Sequence, residues 1–255
     1  MSDYYRIPRG ADWNYGGQKW RLSRSKIDLY KECPRCFWLD NKKGLKRPAG
    51  YPFNLNSAVD QLLKTEFDVH RAASTQHPLQ EKYGLAMKPA VHTKMRQWRE
   101  NFEGVDTVHT ATGLTVCGAI DDLWVDDAGT YYVVDYKATA KSEPVTELNE
   151  PWQDSYKRQM EVYQWLLRHN GLTVSDTGYF VYCTGKPDEA AFDGKLEFDV
   201  HVIPHTGKAD WVDGVLEEIK VCLEGSLPRE GTNCDHCLYR RVLRSEEEQE
   251  QGRLL

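Results

Sequence analysis

Two Cys-x-x-Cys pairs stand near opposite ends of this chain, Cys33-Pro34-Arg35-Cys36 and Cys234-Asp235-His236-Cys237. Two such pairs imply one shared four-thiol site. Any fold must therefore bring the two terminal segments together, although nearly the whole chain lies between them. Closing so long a loop is worth several kcal/mol. A tetrahedral zinc ion and a [4Fe–4S] cluster both take four cysteines; the spacing by itself favours zinc. Cys117, Cys183 and Cys222 fall in strand or helix patterns and read as small buried residues. Seven cysteines in a chain that starts with no apolar leader argue for metal before disulfides, and for an intracellular, cytoplasmic location. The histidines form no convincing ligand spacing.

The second constraint is the run Tyr131-Tyr132-Val133-Val134-Asp135-Tyr136-Lys137. Its aromatic and β-branched residues read as a buried strand. Side chains alternate faces along a strand, so Asp135 and Lys137 point the same way. Such a pair is either an edge ion pair, worth about 0–1 kcal/mol if exposed, or a metal-ligating acid beside a lysine that serves a water or a phosphate. Upstream, Leu114 to Val125 alternates as a strand containing Gly118-Ala119-Ile120-Asp121, and Asp126-Asp127-Ala128-Gly129 is a turn. A β-hairpin follows, with Asp121 and Asp135 on neighbouring strands facing one side.

Around this hairpin the chain reads as alternating helices and strands. Leu22 opens a helix that runs to Cys33, where Pro34 marks a break, and Asn41 to Gly50 is a basic loop. Leu55 to Arg71 is an amphipathic helix with the stripe Leu55, Val59, Leu62, Leu63, Phe67, and Asp60 sits beside that stripe. Thr75 to Pro89 is loop-like, and His92 to Phe102 is a helix. Asp154 to Arg168 is a helix on which Gln159 and Tyr163 share a face. Two strands, Thr177 to Cys183 and Leu196 to Ile203, and a helix from Asp210 to Leu223 complete the ordered chain, which the second cysteine pair closes. We expect one domain over 1–255, with a four-Cys subregion at 20–50 plus 225–245 and an acidic tail at 246–255. No apolar run reaches the roughly 20 residues that span a membrane.

The net charge of −6 does not advertise a nucleic-acid binder. Its distribution does, because basic residues crowd between Arg6 and Arg47, interleaved with Tyr4, Tyr5, Trp13 and Tyr15. The same pattern also suits a solvated surface. Asp60, Asp121 and Asp135, with the backbone carbonyl of Tyr136, form a candidate oxygen ligand set for Mg²⁺ or Mn²⁺. Lys137 would orient a water or stabilise charge on a phosphodiester. Gln159 would position Lys137 or the water, and Tyr163 would contact a nucleotide or the lysine.

These motifs, in this order, resemble the PD-(D/E)xK nuclease superfamily, and within it the RecB-type, Cas4-like branch. The resemblance runs from Leu22-to-Leu39 with its Cys-Pro-Arg-Cys, through the acid-bearing helix, Gly118-Ala-Ile-Asp121, Asp135-Tyr-Lys137 and Gln159-Met-Glu-Val-Tyr163, to the terminal cysteines. It implies an α/β fold with a mixed central sheet flanked by helices. It also implies metal-holding Asp121 and Asp135, a catalytic Lys137, and a [4Fe–4S] cluster on Cys33, Cys36, Cys234 and Cys237. Single-stranded or end-containing DNA is the substrate this branch implies. Two departures stand out. Asn56 and Asp60 occupy the places where the family's helix offers a glycine and then a metal-ligating histidine. The cysteines split two and two, where the branch places one early and three late.

The expectation is a metal-dependent DNA nuclease that cleaves phosphodiesters, as an exonuclease or otherwise. Its rivals are a catalytically silent nucleic-acid-binding subunit, a nuclease working only beside a helicase or a CRISPR integrase, and an RNA-directed nuclease.

Overall fold

The computed structural model describes residues 3–48, 50 and 54–253. In chain order the elements are β1 (Leu22–Ser23), α1 (Arg24–Glu32), α2 (Pro34–Lys43), α3 (Asn54–Ala73), α4 (Pro78–Lys82), β2 (Met87–Pro89), α5 (Met95–Arg99), β3 (Val105–His109) and β4 (Leu114–Gly118). They continue as β5 (Asp122–Asp126), β6 (Tyr131–Ala140), α6 (Asp154–His169), β7 (Thr177–Gly185), β8 (Phe198–Thr206), α7 (Trp211–Glu224) and α8 (Asp235–Arg253). The fold is α/β, with a mixed five-stranded sheet in the order β2-β5-β6-β7-β8 and a three-stranded sheet in the order β1-β4-β3.

Packing divides the chain into two compact units, one of residues 1–50, 108–116 and 213–255, the other of 51–107 and 117–212. The second holds the five-stranded sheet. Its strands pair antiparallel except β6 and β7, which run parallel with α6 in their connection, as a parallel crossover requires. The turn between β5 and β6 forms where expected, with Gly129 at φ +80°. Alternation then sorts the faces. Val134, Tyr136, Val181 and Cys183 join Leu63 and Phe67 of α3 in one core. The opposite face looks to α6, whose Met160 side chain lies so close to β7 that a Cβ at Gly178 would require it to move.

The first unit gathers α1, α2 and α8 around the four cysteines. Its aromatic and basic residues stack on one another. Lys46 lies 3.6 Å from the centre of the Tyr4 ring, Lys26 lies 5.0 Å from that of Trp20, and Lys42 lies 5.2 Å from that of Tyr15. The basic N-terminal lobe thus spends many of its cations on its own rings.

The structure corrects several local readings. The break expected at Pro34 is present, between α1 and α2 at Cys33, but Pro34 also opens a new helix, because proline at the first helical position lacks only an N–H the helix does not use there. That helix consumes part of the expected basic loop and ends at Gly44, in the left-handed region. The loop-like stretch before Pro89 holds α4, capped by His77, and the edge strand β2. The helix expected over His92–Phe102 shrinks to Met95–Arg99, and Phe102 is exposed. On α3 only Leu63 and Phe67 are buried, while Leu55 and Leu62 face outward. Leu114–Val125 is two strands in two sheets, because the Ile120 N–H turns aside to the Trp98 carbonyl at 3.0 Å. Past the second cysteine pair, α8 runs on to Arg253 as an exposed helix. Cys117 and Cys183 are buried as expected, and Cys222 is half-buried. No described helix is long and apolar enough to cross a membrane.

Candidate active site and four-thiol centre

Strand β6 carries Asp135 and Lys137 on the face that meets α6. Asp135 is fully buried, and its carboxylate contacts the Lys137 ammonium directly. Gln159 of α6 sets the geometry of this pair. Its amide nitrogen donates to Asp135 Oδ1 at 2.7 Å and to the Tyr163 hydroxyl at 3.1 Å, and its Oε1 accepts from Lys137 Nζ at 3.3 Å. The Lys137 ammonium also lies 4.5 Å from the centre of the Tyr156 ring. Tyr163 reaches its place because residue 118 is glycine; a Cβ there would stand 2.6 Å from the tyrosine ring.

Asp121 sits just before β5. Since Asp122 pairs with Val134, the next antiparallel step sets Asp121 beside Asp135. Its Oδ2 accepts from the Tyr136 backbone N–H at 2.9 Å. Asp60 and Asn56 come from α3, where the four-residue step stacks Asn56, Asp60 and Lys64 along one ridge. The Asn56 amide donates to the Ala138 carbonyl at 2.8 Å, which anchors the helix to β6. Asp60, Asp121, Lys137, Tyr156 and Gln159 line one pocket of about 450 Å³.

Lys64 is the residue that the sequence reading passed over. Its ammonium donates to Asp60 Oδ2 at 2.8 Å and to Asp121 Oδ1 at 3.3 Å. Burial raises the pKa of Asp60, and the neighbouring Asp121 charge adds to this; Lys64 and Lys137 pull the other way. Burial alone would lower the Lys64 pKa, but the carboxylates of Asp121 and Asp60 hold it above the ordinary lysine value. The acids therefore fall into two groups, Asp60 and Asp121 sharing Lys64, and Asp135 held by Lys137 and Gln159. In this conformation the three do not close to within 4.8 Å of one another, a spacing that only the four cysteines reach among the described residues.

Asp122 was also unforeseen. It is wholly buried and accepts from Arg71 at 2.5 Å, the Tyr136 hydroxyl at 2.7 Å and the Leu123 N–H at 2.7 Å, with Arg99 at 3.0 Å. Burial and this carboxylate push the Tyr136 phenol well above its ordinary pKa, so it stays a donor. Arg99 also donates to the Asp121 backbone carbonyl at 2.9 Å, so the network fixes the bend that presents Asp121. Next to the pocket, sharing Asp60 with it and Arg71 and Arg99 with this network, runs a groove of about 1150 Å³ bordered by His92, Arg96, Arg99 and Phe102.

In the other unit, the sulfurs of Cys33, Cys36, Cys234 and Cys237 are buried and mutually within 4.8 Å, and so can hold a metal. Cys33 lies 3.7 Å from Cys237, while Cys36 lies 3.7 Å from Cys234 and 3.9 Å from Cys237. Arg47 donates to Cys234 Sγ at 3.4 Å.

Comparison with known proteins gives the class. The sequence model of the PD-(D/E)XK nuclease superfamily matches residues 21–242, and the chain belongs to that superfamily. Its function is accordingly of the nuclease type, and its members use divalent metals. No curated protein matches. Among solved structures the chain is similar to the crystal structure of SSO0001, at 14% identity and a TM-score of 0.40, over 87% of this chain and 84% of that one. A likeness at that level does not bear on chemistry.

Proposed function

We propose that the chain is a metal-dependent deoxyribonuclease of the RecB-like, Cas4-like kind, acting on single-stranded or end-containing DNA. The observation that carries this reading is the convergence of Asp60, Asp121, Lys137 and Gln159 on one open pocket, with the buried Asp135 bonded to Lys137 and Gln159 behind it. The donor set fits a hard divalent ion. Asp60 and Asp121 already share one cation, the Lys64 ammonium, and oxygen donors suit Mg²⁺ or Mn²⁺. Asp60, Asp121 and Asp135 would hold the ion, with the Tyr136 carbonyl at hand; when bound, it supplies an acidified water and neutralises charge on the phosphate.

The chain's own residues do the rest. Lys137 brings a positive charge to the pocket, where it can stabilise the charge that develops on a phosphoryl oxygen. Gln159 keeps that lysine oriented through Oε1 while its amide nitrogen holds Asp135. Tyr163 in turn fixes Gln159. A strand leaving the pocket would follow the groove past Asp60, its phosphates near Arg96 and Arg99 and its bases against His92 and Phe102. Arg96→Glu should then weaken binding and lower the slope of log affinity against log salt by about 1.

The experiment is cleavage of end-labelled single strands, duplexes and RNA with Mn²⁺, Mg²⁺ or EDTA. Wild type should cut DNA only with metal, and Asp135→Ala or Lys137→Ala should lose at least about 100-fold. Undiminished activity in either variant would sink the assignment. A helicase or integrase partner would show as stimulated cleavage. One observation favours a second reading, a silent binding subunit: Lys64 already neutralises Asp60 and Asp121. Metal-independent binding without cleavage of any substrate would select it.

A further inference from the structure

The resemblance implies a [4Fe–4S] cluster on the four cysteines, and the sulfur positions do not fit one. A single ion bound by four thiolates at about 2.3 Å requires sulfurs about 3.8 Å apart in a regular tetrahedron. A cubane carries each thiolate on a separate iron and spreads the sulfurs to about 6 Å. The three short separations here are 3.7, 3.7 and 3.9 Å, and all four sulfurs lie within 4.8 Å of one another. The space they enclose takes one ion. It does not take four irons and four sulfides.

We infer that Cys33, Cys36, Cys234 and Cys237 hold one tetrahedral zinc ion with a structural role. The inference stands apart from the nuclease reading, since it concerns only these thiols. Three further observations support it. Each pair straddles the start of a helix, with Cys33 just before α2 and Cys234 just before α8, so two helix starts fix the spacing of the ligands. Gly231 lets the loop before α8 close over the centre, because a Cβ there would stand 3.1 Å from both Cys33 Sγ and Cys234 Cβ. Four thiolates around a divalent ion leave excess negative charge, and Arg47 stands against one sulfur to offset it. All four ligands come from the protein, which is the closed set of a structural zinc site rather than the open one of a catalytic site.

The test uses the full chain, produced with iron and zinc both supplied and purified without oxygen. Elemental and acid-labile sulfide analysis should find one zinc per chain, no sulfide and no visible band. X-ray absorption at the zinc edge should show a single shell of four sulfurs at about 2.3 Å. Cys33→Ser and Cys237→Ser should lose the zinc and Cys117→Ser should keep it; if the first two fail to fold, the absorption spectrum of the wild type decides. About four irons with sulfide in a brown protein would overturn the inference. So would one iron without sulfide, or a metal-free chain that takes up no added zinc.

Discussion

Lys64→Met separates two roles of the lysine that bridges Asp60 and Asp121. Methionine keeps the helix-forming stem and removes the charge. The Nζ lies 2.8 Å and 3.3 Å from the two carboxylates. At an effective dielectric of about 20, each contact is worth a gross 5–6 kcal/mol. The side chain is only 16% exposed, so desolvation returns most of this, and we take about 1–3 kcal/mol as the net loss on removing the charge. For a chain of this size that corresponds to a fall in Tm of about 3–10 °C in EDTA. A divalent ion entering the pair must displace the ammonium, so the variant should bind Mn²⁺ at least about tenfold more tightly, or about 1.4 kcal/mol. Thermal unfolding in EDTA and calorimetric Mn²⁺ titration read the two effects separately. A variant that binds Mn²⁺ no more tightly than wild type would refute the view that Lys64 holds the ion's place.

Asp122→Ala should cost about 3–5 kcal/mol, since it leaves Arg71 and Arg99 facing a buried void; denaturant unfolding in EDTA would show it, and a loss under about 1 kcal/mol would contradict the network. Gly118→Ala should cost about 1–3 kcal/mol by overpacking and should lower cleavage by more than its effect on folding, because the displaced Tyr163 releases Gln159; unchanged activity at full folding would count against that positioning. His77 gives a pH dependence. Burial lowers its pKa despite the bond to Glu66, and its Nδ1 accepts from the Leu79 N–H at 3.1 Å, which requires the neutral ring. Its folded value lies below 6.5, so its contribution is present above pH 6.5 and is lost as pH falls through the folded value, at up to about 1.4 kcal/mol per pH unit. His77→Asn keeps a capping oxygen and should flatten unfolding midpoints between pH 7 and 5; an unchanged slope would exclude His77 as its source.

Which parts of the site were legible follows from the range of the interactions that make it. Asp135 and Lys137 are two apart on a strand, Gln159 and Tyr163 are four apart on a helix, and both relations are set by local periodicity. The Asp126–Gly129 turn was equally local. The division of Leu114–Val125 was not, because it depends on the Ile120 N–H finding the Trp98 carbonyl, a partner in a different part of the chain. The Asp122 network was hidden for the same reason, drawing on Arg71, Arg99 and Tyr136 from three elements. A doublet such as Asp121-Asp122 still held a signal, since a strand sends its two carboxylates to opposite faces. One reaches the pocket, and the other must find buried cations.

Lys64 had a signal too, and it explains the departure on α3. The resemblance sets Asp60 where a neutral histidine is usual, which adds a negative charge beside Asp121. Asn56, Asp60 and Lys64 follow at steps of four, so the helix carries the compensating ammonium one turn on, on the same ridge. The pocket therefore keeps the charge that a histidine would have left it, through an ion pair instead of a neutral ring. The histidine lacks a tether of this kind, so the two arrangements differ in how the ion enters. On the proposed ligand set, Asp60 would be released to the ion only as Lys64 withdraws. Activity should accordingly rise with Mn²⁺ over a higher concentration range in wild type than in Lys64→Met, while the saturated rates converge if Lys64 acts only as a placeholder. A saturated rate that collapses in the variant would give Lys64 a part in the chemistry itself.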